Sequence, residues 1–183
     1  MRARDIPNVI TVFRFLLVPP VVWALLHERI GLALILFGVA GLSDAVDGYL
    51  AKRNNWTSRL GEMMDPLADK LLLVSAFVTL GWLDWLPMWL VALVILRDAV
   101  IVAGAITYHF VVEQVTAEPS MLSKLNTFAQ ILLVLAVIFS RGIEKLPDLW
   151  IDVLVSGVMA TTISSGFGYV WTWGRRAMRG QTP

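Results

Sequence analysis

Residues 31–52 read GLALILFGVAGLSDAVDGYLAK. The stretch opens without a charge and closes on Asp44, Asp47 and Lys52. Residues 61–82, GEMMDPLADKLLLVSAFVTLGW, reverse the order: Asp65, Asp69 and Lys70 come first and the apolar run follows. About 20 mostly apolar residues suffice to cross a hydrocarbon core. Neither run alternates between polar and apolar residues, so a barrel strand is excluded. A lipid-spanning segment of this kind must be a helix, because only a helix satisfies its own backbone there. The pair therefore predicts two membrane helices joined by a short connection. They would be antiparallel neighbours, with their acidic ends at one membrane level.

Composition extends this reading to the whole chain. Of 183 residues, 57% are hydrophobic and 16% are charged. Ordinary soluble domains carry about 45–50% apolar and about 25% charged residues. The formal net charge of +1 argues against a nucleic-acid partner. The absence of cysteine excludes disulfides, thiolate nucleophiles and cysteine metal sites. Tryptophans 56, 82, 85, 89, 150, 171 and 173 fall near the ends of apolar runs, as in an interfacial aromatic belt.

Six spans are expected, at roughly 8–26, 31–52, 61–82, 87–109, 121–140 and 149–172. The fold class is thus all-α, an integral membrane six-helix bundle forming a single domain over residues 1–183. The basic start followed by an apolar core resembles a signal sequence, but it has no clear small-x-small cleavage site. It reads as a retained first span. Residues 1–7 suit a short interfacial segment. Orientation follows from the placement of Lys and Arg. With the N-terminus in the cytoplasm, that side holds Arg2, Arg4, Lys52, Arg53, Arg59, Lys124, Arg175, Arg176 and Arg179, and the far side holds Arg29, Arg141 and Lys145. Both termini are then cytoplasmic, and so is the level of the acids.

Asp44 and Asp47 are three residues apart and Asp65 and Asp69 four apart. Both spacings keep a pair on one helix face. Four converging carboxylates need neutralising, since one ionised Asp at a helix centre already costs about 2.5–3.5 kcal/mol. Two divalent cations balance the charge, and hard oxygen ligands suit Mg2+ or Mn2+. A two-metal site suits in-line displacement at phosphorus. Gly48, Ala51 and Gly61 are small residues beside the acids. They would let a phosphate or nucleotide approach the backbone, or simply permit tight helix packing. A rival class is a cation or proton transporter that uses the acids as a pathway. It predicts acids spread through the bundle's depth and repeated halves. Here the acids cluster at one level, and the sequence shows no repeat.

The segment from Asp44 to Lys52, eight further residues, and then Gly61 to Asp69 resembles the signature of the CDP-alcohol phosphotransferases, DxxDGxxAR, eight residues, GxxxDxxxD. Seven of the eight fixed positions match; the departure is Lys52 in place of the usual Arg. Lysine keeps the charge but loses the bidentate fork. The six-span layout extends the resemblance over nearly the whole chain. It implies transfer of a phosphatidyl group from CDP-diacylglycerol to a glycerol-type alcohol, with release of CMP. It also implies roles. Asp44, Asp47 and Asp65 hold the metals, and Asp69 borders a metal and acts as general base. Asp44, Gly48, Ala51, Lys52 and Gly61 meet the nucleotide. It further suggests a homodimer in a bacterial inner (plasma) membrane, with the active site facing the cytoplasm.

The acceptor is read from residues outside the signature. Ile6-Pro7-Asn8 with Thr11 and Arg14 resembles both phosphatidylglycerophosphate synthases and eukaryotic-type cardiolipin synthases. Residues 40–44, 65–70, Leu96-Arg97-Asp98 and 119–127 lean to the latter. Where the former tend to show Arg-Glu and Gly-Lys-x-Lys-Thr, this chain has Arg97-Asp98 and Ser123-Lys124-Leu125-Asn126-Thr127. Phosphatidylglycerol is thus the favoured acceptor, giving cardiolipin, and glycerol 3-phosphate is the alternative. Lys124, Arg97 and Arg14 are candidates for acceptor or phosphate binding. Arg97 with Asp98 also suits a structural link between helices. Lys124 suits an ordinary interfacial lysine, and Arg14 suits snorkelling to a lipid phosphate. Lys70 is expected to pair with an acid. Asn126 is expected to be a helix–helix hydrogen-bond donor. Arg175, Arg176 and Arg179 are expected to contact anionic lipid.

Overall fold

The computed structural model describes residues 6–54, 59–111 and 121–179, with side chains for 10–43, 67–68, 70–103 and 121–168. Six helices follow in order: α1 (Ile6–Leu26), α2 (Ile30–Asn54), α3 (Arg59–Trp82), α4 (Met88–Val111), α5 (Met121–Gly142) and α6 (Asp148–Arg179). No strand occurs among the described residues. Each helix coincides with one expected apolar run. α1 continues through Pro19 and Pro20, a pair that would disrupt a helix in water but is tolerated where neighbouring groups take over the freed backbone acceptors.

The chain forms two compact units. The first holds α1–α3 with Val134–Leu146. Among the described residues, the contacts of both α2 and α3 are made with α1. Its core is one face of each helix: Val21, Ala24 and Leu25 of α1, Ala33, Phe37 and Ala40 of α2, and Ala68, Leu72, Ala76, Phe77 and Leu80 of α3. Steps of three and four residues mark these as helical stripes. The direct α2–α3 pairing expected from the short connection would involve residues whose side chains lie outside those described.

Two helix ends in this unit are closed alike. Glu28 N–H donates to the Leu25 carbonyl (3.0 Å) and Arg29 N–H to that of Ala24 (2.8 Å). Asp84 N–H donates to the Gly81 carbonyl (3.1 Å) and Trp85 N–H to that of Leu80 (2.9 Å). Both are Schellman caps, with Glu28 (φ 53°) and Asp84 (φ 56°) in the left-handed position. Arg141 in the last turn of α5 lies 5.7 Å from the Trp85 ring centroid, close enough for a cation–π contact.

The second unit, Pro87–Leu133 with Pro147–Pro183, holds α4, the first half of α5, and α6. Its interior is unusually polar. Arg97, Asp98, Asn126, Gln130, Thr162 and Ser165 are all buried, beside Leu90, Val94, Leu133 and Val158. Its exterior is apolar, with Met121, Leu125, Phe128, Leu149, Trp150, Val153, Ile163 and Phe167 exposed. Residues 121–142 and 148–168 are long and apolar enough to cross a membrane, and 33% and 17% of their apolar windows are buried. A core helix of a water-soluble protein would be mostly buried instead. Polar groups inside and large apolar groups outside fit helices solvated by lipid.

Candidate functional site

α2 runs unbroken through positions 44 and 47, and α3 through 65 and 69. The helical spacing that groups the acids in pairs is therefore present in the backbone. The side chains of Asp44, Asp47, Gly48, Ala51, Lys52, Gly61, Asp65 and Asp69 lie outside the described residues. Among the described residues, no cluster of three or more metal-ligating side chains occurs.

The approach to these segments is described, and it is closely packed. Ala40 is 1% exposed and Ala68 0%. Ser43, immediately before Asp44, donates its hydroxyl to the Val39 carbonyl at 2.7 Å. Small residues here let the helices pack closely next to the positions that carry the acids. On α1, Thr11 and Arg14 are each 1% exposed. Arg14 is thus buried, a placement unlike that of a side chain reaching out to a lipid surface. Lys70 is half-buried on α3.

The remaining candidates fall in the second unit. Arg97 Nη1 donates to Asp98 Oδ1 at 2.7 Å in a buried ion pair. Arg97 Nη2 donates to Ser123 Oγ at 2.8 Å. Arg97 Nε and Nη2 donate to Ser165 Oγ at 3.1 and 2.5 Å. The rigid guanidinium fork thus ties α4 to α5 and α6. This is the helix link that a charged pair within an apolar run allowed. Lys124, one residue after Ser123, is exposed.

One turn along α5, Asn126 Oδ1 accepts hydrogen bonds from Thr161 (2.9 Å) and Thr162 (2.8 Å). Asn126 therefore links α5 to α6 as an acceptor rather than as the expected donor. Its Nδ2, like Gln130 Nε2, is buried with no hydrogen-bond partner among the described residues. Sequence reasoning did not single out Ser165, Thr161, Thr162 or Gln130. Their signal was polar residues recurring at steps of three and four within apolar runs.

Comparison with known proteins gives a family match over residues 4–168 to the model described as CDP-alcohol phosphatidyltransferase. The chain is 30% identical to the human protein named cardiolipin synthase (CMP-forming), over 95% of this chain and 63% of that one. It is 36% identical to the cardiolipin synthase (CMP-forming) of Streptomyces coelicolor, over 59% and 54%. It is 33% identical to the CDP-diacylglycerol--glycerol-3-phosphate 3-phosphatidyltransferase of Bacillus subtilis, over 90% and 93%. The chain thus spans less than two thirds of the length of the human and Streptomyces relatives.

Proposed function

The chain belongs to the CDP-alcohol phosphatidyltransferase family, and we propose that it acts in phospholipid synthesis, transferring a phosphatidyl group from CDP-diacylglycerol to a glycerol-type alcohol with release of CMP. The observation that carries this reading is the signature itself, Asp44 to Asp69, on two helices unbroken at those positions.

The acceptor hydroxyl oxygen attacks the phosphatidyl phosphorus. The new P–O bond forms as the bond to the CMP phosphate oxygen breaks, and CMP leaves with that electron pair. Asp69 takes the hydroxyl proton on its carboxylate. Four carboxylates are a hard, anionic donor set that fits two Mg2+ or Mn2+ ions, held by Asp44, Asp47 and Asp65 with Asp69 at the border. When bound, such ions neutralise charge on the phosphate oxygens. Gly48, Ala51 and Gly61 leave room for the cytidine nucleotide beside Asp44, and Lys52 supplies a positive charge to its diphosphate.

All six helices are read as spans of a single membrane domain, with both termini and the acids on the cytoplasmic face of the plasma membrane. A homodimer is the expected assembly. Phosphatidylglycerol is the favoured acceptor. Supporting it are Arg97-Asp98 and the Ser123–Thr127 stretch, and relatives named cardiolipin synthase. A second reading, glycerol 3-phosphate as acceptor, draws on the Bacillus subtilis relative, which the chain matches over 93% of its length.

The test is a lipid-product assay on purified protein with Mg2+ or Mn2+ and CDP-diacylglycerol, offering the two acceptors separately. Cardiolipin from phosphatidylglycerol is the expected product. Phosphatidylglycerophosphate as the sole product would transfer the assignment to the second reading. No CMP release with either acceptor, from folded protein, would reject the transferase reading.

A further inference from the structure

Asn126 and Gln130 are four residues apart on α5, so their side chains leave one face of the helix. Both lie inside the second unit, Asn126 at 0% and Gln130 at 1% exposure. Asn126 Nδ2 and Gln130 Nε2 are the two amide nitrogens buried there with no hydrogen-bond partner among the described residues. Each carries N–H donors. A buried donor left unbonded is costly, most of all in a unit whose exterior is apolar.

The neighbouring oxygens do not meet this need. Asn126 Oδ1 is turned to α6, where it accepts from Thr161 at 2.9 Å and Thr162 at 2.8 Å. Gln130 Nε2 is not among its donors. Turning the Asn126 amide over would aim Nδ2 at the threonines, but it would take the acceptor from the Thr162 hydroxyl, itself 1% exposed. The pairing of Asn126 with Thr161 and Thr162 sets Gln130, one turn further along α5, at the level of Val158 on the antiparallel α6. Val158 is buried and its side chain is aliphatic. The acceptor that the two amides lack must therefore be small and able to accept twice. It must also be neutral, because amide donors carry no charge to offset a buried anion.

We propose that one internal water molecule bridges Asn126 Nδ2 and Gln130 Nε2. Two hydrogen bonds of about 2.9 Å through one oxygen span nitrogens up to about 6 Å apart. That reach matches the separation of about 5–6 Å between Cβ atoms at this helical spacing. Two polar partners in a buried site suffice to hold a water. The polar interior that begins at Ser123, under the Arg97 fork, then runs about 10 Å along α5 to Gln130, with every amide in it bonded.

Water-edited solid-state NMR tests this on the full chain, labelled with ¹³C and ¹⁵N, in phosphatidylcholine vesicles. Magnetisation starts on water protons and passes to the N–H groups beside them. The two side-chain amides are assigned through their own backbone signals. Backbone amides of Val94 and Val158, both buried, are the controls. Transfer to both side-chain amides about threefold faster than to the controls is expected. In Gln130→Met, which keeps an unbranched side chain but removes the donor, the excess at Asn126 is expected to be lost. Transfer to either wild-type amide no faster than to the controls overturns the proposal, as when rotation has paired the amides with each other or with backbone carbonyls. An excess at Asn126 that survives Gln130→Met overturns the shared water. The wild-type measurement decides by itself if the variant does not fold.

Discussion

Arg97 on α4 and Ser165 on α6, 68 residues apart, are joined by two hydrogen bonds, from Nε at 3.1 Å and Nη2 at 2.5 Å to the same hydroxyl oxygen. Asp98 and Ser123 take the rest of the fork's observed bonds. One planar cation therefore holds three helices in register inside a unit whose outside is apolar. Where lipid surrounds the helices, burying apolar surface offers little drive to associate, and interhelical hydrogen bonds and close packing take over.

Removing the cation should be more costly than removing the pair. Arg97→Met leaves Asp98 buried beside an apolar side chain, and breaking a buried pair in this way costs about 3–5 kcal/mol. Arg97→Met combined with Asp98→Asn should recover part of that loss. Arg97→Lys should fall between wild type and Arg97→Met, since a single nitrogen cannot span Asp98, Ser123 and Ser165 as the fork does. Denaturant unfolding in detergent micelles ranks the variants. A double variant no more stable than Arg97→Met would show that the cost lies in packing.

Gly142, the last residue of α5, lies against Ile30, the first of α2. A Cβ at Gly142 would overlap Cβ, Cγ1 and Cγ2 of Ile30. These are the root of a β-branched side chain, which cannot swing aside as the end of a lysine could. Gly142→Ala is expected to destabilise by about 1–3 kcal/mol, the usual cost of overpacking. Gly142→Ala in an Ile30→Ala background should cost much less, and a thermodynamic cycle on the two sites measures the coupling.

The left-handed caps at Glu28 and Asp84 predict the opposite sign. A side chain at positive φ is strained, and glycine removes that strain at a Schellman C′ position. Glu28→Gly is expected to stabilise by about 1 kcal/mol. Asp84→Gly should gain less, since aspartate tolerates this region better than glutamate. Thermal unfolding of the single variants checks both the sign and the order.

Helix positions were largely legible because each apolar run is long, does not alternate, and is bounded by charged residues or proline. The run expected at 121–140 is α5, Met121–Gly142, and the one expected at 61–82 is α3, Arg59–Trp82. Partners across helices were less legible. Arg97 announced itself as a charge in an apolar run, but Ser165 is a serine among Thr161, Thr162 and Ser164. Nothing local distinguishes the serine that receives a guanidinium from the one that faces out. Packing was legible only in part. The α2–α3 pairing suggested by the short connection falls at residues whose side chains lie outside those described, and the described contacts of both helices are with α1, which contributes buried Val21, Ala24 and Leu25. At the candidate site, the spacing of the four aspartates was legible and the helices carry it.

The division of labour among those aspartates gives the last prediction. Asp69→Asn keeps the size and one carbonyl oxygen but cannot accept a proton at neutral pH. If Asp69 is the base and borders a metal without anchoring it, turnover should fall by about 10²–10⁴-fold. Mn2+ affinity, read by the loss of the free-ion electron paramagnetic resonance signal, should change little. Asp47→Asn should instead abolish Mn2+ binding along with turnover, since a direct ligand has been lost. The two readouts separate the roles in a way that activity alone does not. Equal loss of Mn2+ in both variants would make Asp69 a metal ligand first and remove the ground for assigning it the proton. Retained turnover in Asp69→Asn would assign the proton elsewhere, and the carboxylates of Asp44, Asp47 and Asp65 would then be tested in the same pair of assays.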